Sequence, residues 1–270
     1  MTTNTPRRCA FCGGRPLTRE HIWADWLKQY IPRTMSSYES YSAIQHRTHI
    51  EENIQKISGD PHSWRVRCVC KLCNERWMSR IQEDAKSIAV TLLSGNKTTL
   101  KREDQRIITM WIAMAVICGE FSNRKTVTTT ACGRLWLKEL RMLPPYWRIW
   151  IGYYKRKTWI PHWIHNPFLV SEKHVPDAAL GNWASYNTQT TTYVVGQLFI
   201  HAFSSIDGQL VRQRRFPKFF KNRLRQLWPL TGLNISWPPP EIISDTQADF
   251  IAGSFYSAAR RAGLRRNGDP

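Results

Sequence analysis

The chain of 270 residues has no long apolar run. Its longest, Ile107 to Cys118, is too short to cross a bilayer. Residues Met1 to Arg8 lack the apolar core of a signal peptide, so a cytoplasmic protein is expected. There is no low-complexity tract or internal repeat, and 42% hydrophobic against 22% charged residues points to a packed core rather than disorder. Acidic residues are few, 20 against 39 Lys and Arg, leaving a formal charge of +19. That surplus attracts polyanions, which makes nucleic acid the expected partner. No stretch joins a basic amphipathic face to helical length, so a membrane surface is not expected.

Cysteine is present in an odd number, seven, and four of the seven form two C-x-x-C pairs. In a chain of this size that pattern fits metal binding in a reducing compartment better than a disulfide framework. Cys9 with Cys12 and Cys70 with Cys73 can each form a knuckle, and together they supply the four thiolates of a closed, structural zinc site. Cys68 competes for a ligand position but lies two residues before Cys70 on a predicted strand, and reads as a core or edge thiol.

An α+β fold is expected, in two segments: a zinc-stapled unit over 1–95 and an α+β unit over 96–270, divided at Ser94-Gly95-Asn96, which reads as a helix stop. In the first segment the spacing predicts a short helix from Trp23 to Ile31, a hairpin over Ser42 to Ile57, and a strand from Ser63 that delivers Cys70 to a turn. A helix follows over Asn74 to Leu93, with Trp77, Ile81, Ala85, Ile88, Ala89 and Leu92 on one face. In the second, Glu103 to Phe121 reads as a buried helix and Thr128 to Leu143 as another, stopped by Pro144-Pro145. Tyr146 to Tyr154 and Thr191 to Ser204 have strand composition, and Thr246 to Ala262 reads as a last helix.

Between the knuckles stands Glu20-His21-Ile22 ahead of Trp26-Leu27, and the second knuckle runs Cys70-Lys-Leu-Cys-Asn-Glu-Arg-Trp-Met. An acidic residue followed by His between two C-x-x-C pairs, with Asn directly after the last Cys, resembles the zinc-containing branch of the HNH (ββα-metal, or His-Me finger) endonucleases. The match covers about the first third of the chain. It implies a metal-dependent phosphodiester hydrolase, with His21 as the base that activates water and Glu20 and Asn74 as oxygen ligands of a catalytic Mg²⁺ or Mn²⁺. It also implies DNA rather than RNA, and cleavage that leaves a 5′-phosphate, in a setting such as phage defence or a mobile element. An unperturbed imidazole is largely neutral near pH 7 and suits the role given to His21. The chain departs from the family pattern in three places: Trp64-Arg-Val-Arg stands where an Asn is usual before the second knuckle, Asn74 stands in place of His, and the insert before Cys70 is longer.

Several residues keep two readings. Asn74 also suits a helix N-cap, and either Asp25 or Glu83 is available to complete the metal shell. Trp64 and Trp77 could stack on bases or belong to the core. His162 with His165, and His46 with His49, lack a third ligand and read as loop histidines. Arg212 to Arg225 interleaves cations with Phe216, Phe219 and Phe220, suiting either phosphate contact with stacking or a solvated helix face, and Arg260, Arg261, Arg265 and Arg266 make a basic end. The second segment is expected to recognise substrate, a protein partner or an activating ligand. The alternative to an enzyme is a non-catalytic, zinc-dependent nucleic-acid-binding or regulatory protein on the same scaffold.

Overall fold

A computed structural model describes residues 8–31, 37–45, 50–58, 64–156, 158–159, 162–168 and 186–261. His46, His49, Arg265 and Arg266 lie outside them, and of the 37–45, 50–58 and 255–261 segments only the backbone is described.

The fold is α+β, with sheets dominated by antiparallel pairing. Strand β1 (Leu17–His21) is followed by a 3₁₀ turn at Asp25–Gln29, where the sequence predicts a longer helix. Ala24, extended at its start, accepts from Leu27 N–H, and only Leu27 among the turn's five residues is buried, so a single apolar anchor holds a single turn. Strands β2 (Ser37–Gln45) and β3 (Ile50–Ser58) form the predicted hairpin, in a register that pairs Ser42 with Asn53. Strand β4 (Arg65–Cys70) then pairs antiparallel with β1, setting Leu17 opposite Cys70 and His21 opposite Arg65.

After Cys70 the chain enters α1 (Lys71–Cys73), a π turn (Asn74–Met78) and α2 (Ser79–Leu93). Ile81, Ala85, Ala89 and Leu92 are buried at helical spacing, each large one contributing about 1.5–3 kcal/mol. Gly95 ends the helix at φ +67°, where an added Cβ would meet Tyr153 and Gln197 within 2.7 Å. Strand β5 (Thr98–Leu100) leads into α3 (Arg102–Glu120), buried from Ile108 onward on every side, as its sequence predicts. The helix expected over Thr128 to Leu143 is shorter: α4 (Ala131–Leu135), capped by Thr130, runs into a π turn that Arg141 closes at φ +51°.

Strands β6 (Trp147–Tyr153), β7 (His162–Phe168), β8 (Thr188–Val195), β9 (Leu198–Ser205) and β10 (Leu224–Trp228) join β2 and β3 in one seven-stranded sheet, ordered β10-β6-β9-β8-β7-β2-β3. Every pair is antiparallel except β2 with β7. The hairpin of the first segment thus extends the sheet of the second, and the change of character at residue 95 does not coincide with a break in packing. The stretch Thr191 to Ser204 is a tight hairpin, not one strand, turning at Gly196 and Gln197. His162 and His165 lie on β7 and not in a loop; buried His165 bonds Thr191 Oγ1 and Thr126 O.

Alternation along the strands sorts side chains to two faces. Ile149, Ile151, Ile200 and Ala202 join one cluster with α2, α3 and the cysteine-bearing segment. Trp150, Phe199 and Phe203 join a second cluster under α5 (Gly208–Gln213) and α6 (Asp245–Arg261). A short strand β11 (Ile235–Trp237) pairs with β5 beside the first cluster.

Candidate metal centre and the site beside it

The first knuckle is closed by its own backbone. Cys9 N–H donates to Gly14 O, Gly13 N–H donates to Cys9 O, and Ala10 N–H reaches across to Cys68 O on β4. The second knuckle is the corner where β4 becomes α1, so its cysteines are carried by a strand end and a helix start. The Sγ atoms of Cys9, Cys12, Cys70 and Cys73 all lie within 4.8 Å of one another, with Cys12 and Cys70 at 3.5 Å. Four Zn–S bonds of about 2.3 Å arranged tetrahedrally set sulfurs about 3.8 Å apart, so this donor set fits zinc. Gly14 N–H points at Cys12 Sγ from 3.4 Å, and a Cβ on Gly14 would come within 3.2 Å of that sulfur. Crowding polarises the thiols: the hydrogen bond from Cys73 lowers Cys9 to about 4, while the same bond pushes Cys73 up and burial pushes Cys12 up. Cys68 is outside the group, packed in the core against Cys118.

Phe11 sits edge-on to Trp77 at 4.8 Å, and the Arg141 guanidinium lies 4.9 Å over the same indole, so Trp77 is a core residue behind the knuckles. Trp64 is likewise buried, edge-on to Trp163. Buried Arg134 donates to Ala10 O at 2.6 Å, tying the first knuckle to α4.

Glu20 and His21 end the strand that pairs with β4. The ladder slips between Thr18 and Glu20, and the two neighbours then meet different surroundings: Glu20 is buried and His21 is half-buried. Burial pushes the Glu20 carboxyl up to about 7, against the opposing pull of donors on Gln82 and Asn74. Gln82 Nε2 donates to Glu20 Oε1 at 3.0 Å, and Asn74 Nδ2 also lies 3.3 Å from Thr18 Oγ1. Asn74 is within the helical stretch, with no side-chain cap bond, so the capping role is not taken.

His21 Nε2 accepts from Arg65 Nε at 2.7 Å and lies 3.6 Å from Asp25 Oδ1. Burial, then the Arg65 charge, lowers the imidazole pKa, with Asp25 opposing, so His21 is neutral near pH 7. Asp25 also pairs with Lys28. Glu83 is exposed on α2, and no hydrogen bond or ion pair among the described residues joins it to Glu20, His21 or Asn74.

The site therefore brings together Glu20, His21, Asn74 and Asp25 and leaves Glu83 aside. It adds Arg65, Gln82 and Thr18, which sequence reasoning missed. Arg65 faces His21 only because of the ladder register, and Gln82 reaches Glu20 from the first turn of α2, so neither is marked by local spacing. Among the described helices none is long and apolar enough to cross a membrane. No protein-family model, curated protein or solved structure matches this chain.

Proposed function

We propose that this chain is a metal-dependent endonuclease of the HNH type that hydrolyses phosphodiester bonds, in DNA by preference. The observation that carries the reading is the meeting of Glu20 and Asn74, with His21 next in chain, on the strand and helix that lead out of the two cysteine pairs. The antiparallel pairing of β1 with β4, followed by α1, supports this reading, although the β2-β3 hairpin intervenes between the two strands in the chain. A formal charge of +19 supports a polyanionic substrate.

In this reading zinc on Cys9, Cys12, Cys70 and Cys73 holds strand and helix in place and takes no part in the reaction. Glu20 and Asn74 offer one carboxylate and one amide, a hard oxygen set suited to a hydrated Mg²⁺ or Mn²⁺, which would supply positive charge to phosphate and leaving oxygen. Neutral His21 takes a proton from water through Nε2, and Arg65 releases that nitrogen by turning its guanidinium to the phosphate.

The experiment is incubation of zinc-loaded protein with DNA and with RNA, with Mg²⁺, Mn²⁺ or EDTA. Divalent-dependent cleavage that Glu20→Gln loses by about 100-fold or more supports the assignment; cleavage that survives EDTA sinks it. Two contacts favour a second reading, a zinc-dependent nucleic-acid-binding protein without catalysis: Arg65 occupies His21 Nε2, and Gln82 engages Glu20. Retained DNA binding with no cleavage under any divalent condition would select it.

A further inference from the structure

On the face of the large sheet opposite the cysteine-bearing segment, β6, β10, α5 and the 3₁₀ turn Lys218–Phe220 line an open cavity of about 560 Å³. That volume lies within the about 300–1,000 Å³ of small-molecule sites. Six cations line it: Arg148, Arg212, Arg214, Arg215, Lys218 and Lys221. No carboxylate does, among the described residues. Like charges gathered round one cavity repel one another, and an entering anion converts that repulsion into attraction.

One of the six is pre-positioned. The Arg214 guanidinium stacks 4.7 Å over Phe216, and its NH2 donates to His201 Nε2 at 3.1 Å and to Ser254 Oγ at 2.8 Å. Burial and the Arg214 charge keep His201 neutral, so it accepts this bond while its Nδ1–H donates to Thr192 Oγ1. Held in this way, the guanidinium presents a fixed positive charge at the wall of the cavity. The remaining wall is apolar and aromatic: Trp150 and Phe216, edge to face at 5.0 Å, with Pro217 and Pro229. Such a wall suits a flat, uncharged ring attached to the anion.

We propose that this cavity binds a nucleotide unit, its phosphate on Arg214, Arg212 and Lys221 and its base against Trp150 and Phe216. Free nucleotides and single-stranded nucleic acid both offer that unit. The site is separate from the Glu20-His21 site and does not depend on the nuclease reading.

Calorimetric titration of the full chain with AMP, ATP, ribose 5-phosphate, inorganic phosphate and a short single-stranded DNA tests it. The expected result is that AMP binds several-fold more tightly than ribose 5-phosphate. Arg214→Gln should weaken binding about tenfold or more. Because Arg214 is packed into the protein, the double variant Arg212→Gln/Lys221→Gln, at exposed positions, serves as the second probe, and it should weaken binding with an unchanged melting temperature. His21→Ala should leave binding intact. Saturation by ATP assigns a free nucleotide, and tighter binding of the oligonucleotide, competed by AMP, assigns a strand; both support the site. Equal affinity for AMP, ribose 5-phosphate and inorganic phosphate, absence of nucleotide binding, or binding that neither variant changes overturns it.

Discussion

Glu20 and His21 are adjacent in the chain, yet one is buried with a carboxyl raised to about 7 and the other reaches solvent beside Arg65. Side chains alternate along a strand, and a two-residue motif on one can therefore place a buried carboxyl next to an accessible imidazole. A second buried carboxylate shows how much a single residue can hold. Glu120 accepts from Thr128 N–H, Thr129 N–H, Thr129 Oγ1 and Gln189 Nε2, joining the end of α3 to β8. Glu120→Ala leaves these buried donors without their acceptor and should cost about 3 kcal/mol or more in urea unfolding. At this scale the cysteine cluster was legible in the sequence because the spacing within each C-x-x-C pair is local, whereas Glu20, His21 and Asn74 were singled out by resemblance to a family pattern. Arg65 and Gln82 were not, because they meet the site through a strand register and a helix turn.

At the scale of elements, α2 and α3 follow their apolar periodicity, whereas Thr188 to Ser205 hides its turn inside a continuous β-branched and aromatic run. Pro161 and Pro167 beside His162 and His165 read as loop punctuation, yet β7 keeps Pro167 within its pairing with β8. Helix α3 meets β7 closely, since a Cβ on Gly119 would fall 2.3 Å from the Trp163 ring. Gly119→Ala should therefore destabilise the protein by about 1–3 kcal/mol through overpacking, read as a lowered urea midpoint with unchanged slope. Two buried histidines lie within this sheet, His165 and His201, both lowered chiefly by burial. Each has a folded pKa below its unfolded value near 6.5, so the unfolded chain binds more protons in the window beneath 6.5. Their contribution is full above pH 6.5 and is lost as pH falls, which predicts a melting temperature that declines below pH 6.5 and a shallower decline in His201→Gln.

At the scale of the whole molecule, a sheet that takes β2 and β3 from the first segment and five strands from the second joins the cysteine-bearing part to the rest. The parallel register of β2 on β7 pairs residues more than a hundred positions apart, and no local pattern encodes it. Four thiols near one point beneath this assembly predict that a chelator strong enough to remove zinc lowers the melting temperature by several degrees, and that Cys73→Ser abolishes stoichiometric zinc. The central claim is that zinc frames a hydrolytic site without being its catalyst. Mg²⁺-dependent cleavage by wild type and His21→Ala, compared at equal zinc content, tests it most directly. The account predicts one zinc per chain in both and cleavage only in wild type; cleavage by His21→Ala at the wild-type rate would contradict it.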